Sequence, residues 1–167
     1  MSTELRVDKQ VVLTRELRHP PARVFAAWTS AEQMQRWLTP GRGTRMTAQV
    51  DCRVGGELML VYLDPDGIVH RVGGRYLVVR PRERLVFTWT WLSSDAPAGS
   101  PPRPLPLDAI GVETLVTVDF AAIPGGTLLT ITHQRFKTDV EAERHGAGWA
   151  GALDQLPDYL DAHPGGE

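Results

Sequence analysis

Few residues in this chain are able to move protons or hold a metal: five histidines, one cysteine and a scatter of carboxylates. His133 closes the run Leu129-Thr130-Ile131-Thr132-His133, and strand alternation puts it on the face of Leu129 and Ile131. A neutral imidazole there could hydrogen-bond a ligand or act as acid or base. A core histidine paired to the backbone or to a helix residue is the plainer reading, and the favoured one. His145 falls near the start of the last helical pattern, within reach of His133. Two histidines with no third ligand make a poor zinc site, so neither metal nor cofactor is expected. His70 reads as strand surface. Asp51 and Glu57 flank Gly55-Gly56 and read as ion-pair partners of Arg53 or Arg75, not as catalytic carboxylates. No GxSxG, HExxH or paired-cysteine motif occurs. Gly55-Gly56 and Gly73-Gly74 lack the strand–loop–helix setting of a phosphate cradle and read as turns or bulges. No catalytic residue is expected from these patterns.

The chain that must position these residues has 167 of them, enough for one domain with a sizeable core. Its formal net charge of −2 gives no reason to expect nucleic acid or an anionic membrane as partner. Lysine occurs only at Lys9 and Lys137, so arginine carries nearly all the positive charge, which reads as a compositional bias. Cys52 has no partner for a disulfide within the chain. The first residues are polar with no apolar signal segment, and no run is long enough to span a membrane. Cytoplasmic localisation is the expectation. Residues 1–9 and 164–167 read as tails around a single domain at 10–163.

Alternation over 10–18 predicts a strand, ended by His19-Pro20-Pro21, with Pro21 suited to a helix first turn. Val24, Phe25 and Trp28 follow at helical spacing. Ser30 is a candidate N-cap for a second short helix over 31–38, stopped by Pro40-Gly41. Strands are predicted at 44–51, 57–63, 68–79, 84–92, 113–121 and 127–135. Asp64-Pro65-Asp66-Gly67 is a hairpin turn, and Gly73-Gly74 marks a bulge or bend. Residues 93–111 hold five prolines and are excluded from a central strand, leaving a loop or flap at the cavity mouth. From Thr138 the period becomes helical, and Trp149, Leu153, Leu156 and Leu160 form one stripe. Pro157 lies inside that stripe and should bend the helix or end its regular part.

The fold class is therefore α+β. A curved antiparallel sheet of about six to seven strands wraps a long C-terminal helix, with two short helices after the first strand. Leu85, Phe87, Trp89 and Trp91 share an inward face, as do Val116, Val118 and Phe120, and Leu129, Ile131 and His133. Val72, Gly74, Tyr76 and Val78 are a further inward set. Leu58, Leu60 and Tyr62 compete with Met59, Val61 and Leu63 for theirs. Gly146, Gly148 and Gly151 thin one side of the long helix, either for close packing or to leave room for a ligand. The candidate ligand-binding residues are Trp37, Tyr62, Tyr76, Phe87, Trp89, Trp91, Val118, Ile131, His133 and Trp149. Three of them (Trp37, Trp149 and His133) carry a core reading that is the stronger one.

The series of motifs resembles one family. His19-Pro20-Pro21-Ala22-Arg23-Val24-Phe25 with Trp28-Thr29 is followed by Trp37-Leu38-Thr39-Pro40 and by Asp51 to Gly56. Then come Asp66-Gly67, Gly74-Arg75-Tyr76, Leu85 to Trp89, Thr114 to Val118, Gly126 to His133, and Gly148-Trp149 with Leu153 and Leu156. In this order they resemble bacterial proteins similar to the C-terminal domain of the activator of heat-shock-protein-90 ATPase, in the START-related helix-grip superfamily. The resemblance implies a helix-grip fold and an apolar cavity, since the wider superfamily binds lipids, sterols, polyketides and other hydrophobic molecules. It supplies no catalytic motif. The leading expectation is binding or carriage of a small hydrophobic ligand, lipid-like or aromatic. The alternatives are a cyclase- or aromatase-type enzyme using His133, Tyr62, Tyr76 and Arg75, and a stress-response or co-chaperone-like partner. A homodimer is left open. Against the family pattern, the proline-rich 93–111 segment is long and Pro157 is unexpected.

Overall fold

The structure is a computed structural model that describes residues 3–7, 9–41, 43–99 and 110–164. Its elements are β1 (Thr3–Val7), β2 (Gln10–Leu17), α1 (Pro21–Thr29), α2 (Ala31–Trp37), β3 (Arg45–Val50), β4 (Glu57–Leu63), β5 (Val69–Arg80), β6 (Arg84–Asp95), β7 (Glu113–Ile123), β8 (Gly126–Gln134) and α3 (Asp139–Ala162). One antiparallel sheet runs β1-β2-β8-β7-β6-β5-β4-β3. Strands β2 to β8 are the seven the alternation predicts. β1 adds an eighth at the edge, inside the stretch read as a tail, by pairing with β2.

Local chemistry explains the helix starts. Pro20 precedes α1 and Pro21 opens it, where a missing N–H costs nothing. The Ser30 side chain accepts from the Gln33 backbone N–H and caps α2. Thr138 does the same for Glu141 at the start of α3. α3 continues through Pro157 to Ala162, so the regular helix does not end at the proline. Leu156, Tyr159 and Leu160 are buried on either side of it. Their burial, worth about 1.5–3 kcal/mol for each large side chain, outweighs the roughly 3 kcal/mol a mid-helix proline costs.

The β5–β6 pairing sets the geometry of the site. Arg71 faces Ser93 but Val72 faces Trp91, so Leu92 is an extra residue. Tyr76 faces Phe87 but Val78 faces Val86, so Leu77 is another. The bulges therefore flank Gly73-Gly74 and do not fall on them. Gly74 serves close approach instead: a Cβ there would lie 2.1 Å from the Thr88 carbonyl oxygen. The Leu77 bulge moves the inward position from Val78 to Val79, which packs on the core. The Leu92 bulge puts both Trp91 and Ser94 on the inner side. On β4 the contest resolves toward Leu58, Leu60 and Tyr62, all buried, while Leu63 is exposed. β6 extends to Asp95, beyond the predicted end, because the prolines begin only at Pro97.

Candidate functional site

A cavity of about 320 Å³ opens between the N-terminal half of α3, the β4–β6 end of the sheet and the loop after α2. Tyr62, Trp89 and Trp91 come from the strands, and His145, Gly148, Trp149 and Ala152 from the helix. Leu38, Thr39 and Pro40 form the loop side. That loop is held by α3 itself. Gln155 Nε2 donates to the Thr39 carbonyl at 2.7 Å and to Thr39 Oγ1 at 3.1 Å. Gly151 lets the Pro40 carbonyl rest against the helix, since a Cβ there would lie 1.9 Å from that oxygen.

The three helix glycines thus divide their roles. Gly151 serves loop packing. Gly146 meets Val11, which an added Cβ would approach to 3.3 Å. At Gly148 an added Cβ meets nothing within 4 Å, and the residue lines the cavity. Close packing thus accounts for Gly151 and Gly146, and Gly148 borders open space.

An aromatic file leads into this space. Trp37 packs on Trp28 at 4.8 Å between ring centroids, Trp28 stacks on Trp149 at 5.8 Å, and Trp149 meets Trp89 at 5.4 Å. Trp89 meets Trp91 at 5.9 Å, and Trp91 meets Tyr62 at 6.3 Å. Trp37 is the buried end and Tyr62 the cavity end. The Tyr62 hydroxyl makes no hydrogen bond to any described residue. Burial pushes its phenol well above the ordinary range.

Two imidazoles on this side of α3, His133 and His145, are wired alike. The indole Nε1 of Trp149 donates to His133 Nδ1 at 2.9 Å. That fixes the His133 proton on Nε2, which donates to Thr114 Oγ1 at 2.7 Å, and the threonine in turn donates to the Trp89 carbonyl at 2.7 Å. His145 repeats the pattern: its Nδ1–H donates to the Glu141 carbonyl at 2.7 Å and its Nε2 accepts from Trp91 Nε1 at 2.8 Å. Burial, then the neighbouring His145, holds His133 well below the usual imidazole range. Burial also lowers His145, against the hydrogen bond to Glu141. Both lone pairs are engaged by indole N–H groups, so neither ring offers one to a metal. Among the described residues no three metal-ligating side chains gather.

A family model described as "Activator of Hsp90 ATPase homolog 1-like protein" matches residues 18–161. The chain belongs to the Activator of Hsp90 ATPase homolog 1-like family. A solved protein from Chromobacterium violaceum is 29% identical, with a TM-score of 0.73, over 90% of this chain and 95% of its own. A family member from Silicibacter pomeroyi is 25% identical, with a TM-score of 0.74, over 92% and 98%. A protein from Rhodobacter sphaeroides, at 22% identity and a TM-score of 0.77 over 97% and 99%, shares the fold. No curated protein matches the chain.

In this family member, Tyr62, Trp89, Trp91 and Trp149 of the ten candidates line the cavity. Trp37, Tyr76, Phe87, Val118, Ile131 and His133 are buried in the core behind it. Tyr76 hydrogen-bonds the half-buried Cys52, whose thiol burial pushes up. Arg75 is exposed and pairs with Glu57 at 3.6 Å, and Arg53 pairs with Asp51 at 2.9 Å, as read from the sequence. His133, Tyr76 and Arg75 therefore do not converge with Tyr62 on one reacting centre.

The candidates drawn from the sequence omit several polar wall residues, among them Thr44, Asp64, His70, Ser94 and Arg144. His70 is a correction, since it is half-buried in the cavity wall and not strand surface. The signal existed. His70 lies two residues before Val72, so placing Val72 inward places His70 inward too. Ser94 had no such signal, because the Leu92 bulge reverses the alternation that would have aimed Ser93 inward. Of the 93–111 segment, Ser94 and Ile110 line the cavity, while residues 100–109 lie outside the described part.

Proposed function

We propose that this protein binds a compact, mostly apolar and aromatic molecule in the cavity between α3 and β4–β6. The observation that carries this is the convergence of Tyr62, Trp89, Trp91 and Trp149 on one space of about 320 Å³. Small-molecule sites run from roughly 300 to 1,000 Å³ and combine aromatic walls with a few polar groups. A volume near the lower end favours a fused-ring or phenolic ligand over a long acyl chain or a sterol. Gly148 supports the same reading, since a mid-helix glycine that touches nothing costs about 0.5–1 kcal/mol relative to alanine. A net charge of −2 argues against nucleic acid as partner. The free thiol of Cys52 fits a reducing compartment, and we place the protein in the cytoplasm. Among the described residues no helix is long and apolar enough to cross a membrane.

The test is a melting and tryptophan-fluorescence titration with naphthol- and flavonoid-type compounds, a fatty acid and a sterol. The expected result is a saturable rise in melting temperature and quenching with the compact aromatics, lost in Gly148→Leu, whose side chain fills the cavity. No response to any of these compounds, with an empty protein by native mass spectrometry from its host, would sink the reading.

A further inference from the structure

Across three neighbouring strands in the cavity wall, Tyr62, His70 and Ser94 stand side by side. Tyr62 is the ladder partner of His70 and His70 that of Ser94. All three line the cavity, together with Asp64. Ser94 Oγ lies 2.8 Å from His70 Nδ1, and His70 Nε2 lies 3.3 Å from Asp64 Oδ2. Asp64 Oδ1 accepts from the backbone N–H groups of Asp66 and Ile68, both at 3.0 Å, so the hairpin turn fixes the carboxylate. Partial burial pushes the Asp64 carboxyl up, but the hydrogen bonds from Ile68, His70 and Asp66 outweigh it and hold the group below its usual range. In the neutral His70 ring, the tautomer protonated at Nε2 satisfies both contacts. It donates to the carboxylate and leaves the Nδ1 lone pair facing the serine hydroxyl. A nucleophile, a base and a group that orients the base thus stand in sequence, in the roles acyl transfer requires.

We propose that Ser94, His70 and Asp64 form an acyl-transfer triad that hydrolyses a small ester whose apolar part occupies the aromatic cavity. Ser94 Oγ attacks the ester carbonyl carbon while its proton passes to His70 Nδ1. The carbon–oxygen bond to the alcohol breaks, and the same proton leaves with the alkoxide. Water then adds to the acyl–Ser94 ester, giving its proton to Nδ1. The bond to Ser94 breaks, the proton returns to Oγ, and the products are a carboxylic acid and an alcohol. Asp64 stays ionised and stabilises the imidazolium formed in each half. The Tyr62 hydroxyl, which has no described protein partner, is the donor available to the carbonyl oxygen as it becomes negative. His133 and His145 cannot take the base role, because an indole N–H holds the free nitrogen of each. The chemistry uses the cavity proposed above for its substrate, so it rests on that reading for access.

The experiment is phosphonylation of the full chain by a fluorophosphonate, followed by intact mass and peptide mapping, alongside hydrolysis of p-nitrophenyl butyrate. The expected result is one adduct, on Ser94, and ester turnover that Ser94→Ala abolishes. His70→Ala should slow both by about 10²-fold, the usual contribution of a positioned general base. Tyr62→Phe should slow ester turnover as well. Ser94→Cys, alkylated by iodoacetamide at a rate that drops in the His70→Ala background, reports the same pairing without ester chemistry. Melting curves of each variant confirm folding. No adduct on Ser94 above the rate of the urea-unfolded chain, or turnover that survives Ser94→Ala, overturns the triad. If aromatic ligands still raise the melting temperature while Ser94 stays unlabelled, the triad fails and the binding reading stands.

Discussion

His133 and His70 both sit on inward strand faces, the first in the core behind the cavity and the second in its wall, and their surroundings differ in kind. His133 is fully buried, and both its nitrogens are committed, one to a tryptophan and one to a threonine. Its network ends on a backbone carbonyl, with no group left over for a ligand. His70 is half-buried, lines the cavity, and touches a serine hydroxyl and a carboxylate. A closed polar network in a core specifies and stiffens the fold. One that opens into a cavity can exchange partners with whatever enters it. The contrast shows that burial alone is a poor guide to a functional histidine. What each ring nitrogen faces decides the matter.

The largest effect should come from the closed network. His133→Ala leaves the Trp149 indole N–H unpaired beside a new hole and should cost about 3 kcal/mol in chemical denaturation. His70→Ala should cost under about 1 kcal/mol. Equal costs would remove the distinction between the two histidines. Acid should expose the same asymmetry. His133 and His145 resist protonation in the fold, below the ordinary imidazole value of 6.5, while in the unfolded chain they accept protons near it. The unfolded state therefore binds more protons as pH falls below about 6.5. Stability contributed by these two rings is complete above that value and drains away below it, down to their folded values. The slope approaches about 1.4 kcal/mol per pH unit for each ring. Urea midpoints measured from pH 7.5 to 5 should fall accordingly, and His145→Gln should reduce the slope; a slope unchanged by that variant would mean His145 titrates alike in both states.

Smaller effects belong to the helix glycines. Gly151→Ala drives a methyl into the Pro40 carbonyl and should destabilise by about 1–3 kcal/mol. Gly148→Ala meets open space and should stabilise by about 0.5–1 kcal/mol while narrowing the cavity. A stability loss at Gly148 would show that this side of the helix is packed and not part of the cavity.

Much of this was legible in the chain. Strict alternation gave the inner faces of β6, β7 and β8, and the stripe from Trp149 to Leu160 gave the buried face of α3. Proline and serine marked the starts of α1 and α2. The cavity was half legible. Aromatic residues with the right alternation were candidates, but four line the space and six pack behind it. Alternation says which face a side chain takes. It cannot say how far along that face the helix covers it.

By itself the sequence determined the order of elements, the antiparallel sheet and its long helix, because hydrophobic period and turn chemistry are local properties. It also determined that Trp89, Trp91 and Trp149 face inward, whereas the face of Tyr62 was decided only by the fold. Only the tertiary structure decided that His133 is closed and His70 open. It decided too that Ser94 replaces Ser93 on the inner face and that Gly148, among three glycines, borders empty space. Each of these depends on groups distant in sequence: an indole on α3 against a ring on β8, a bulge at Leu92, a loop carbonyl at Pro40. Such contacts follow from how the sheet curves and where the helix lands on it, and no local pattern encodes that.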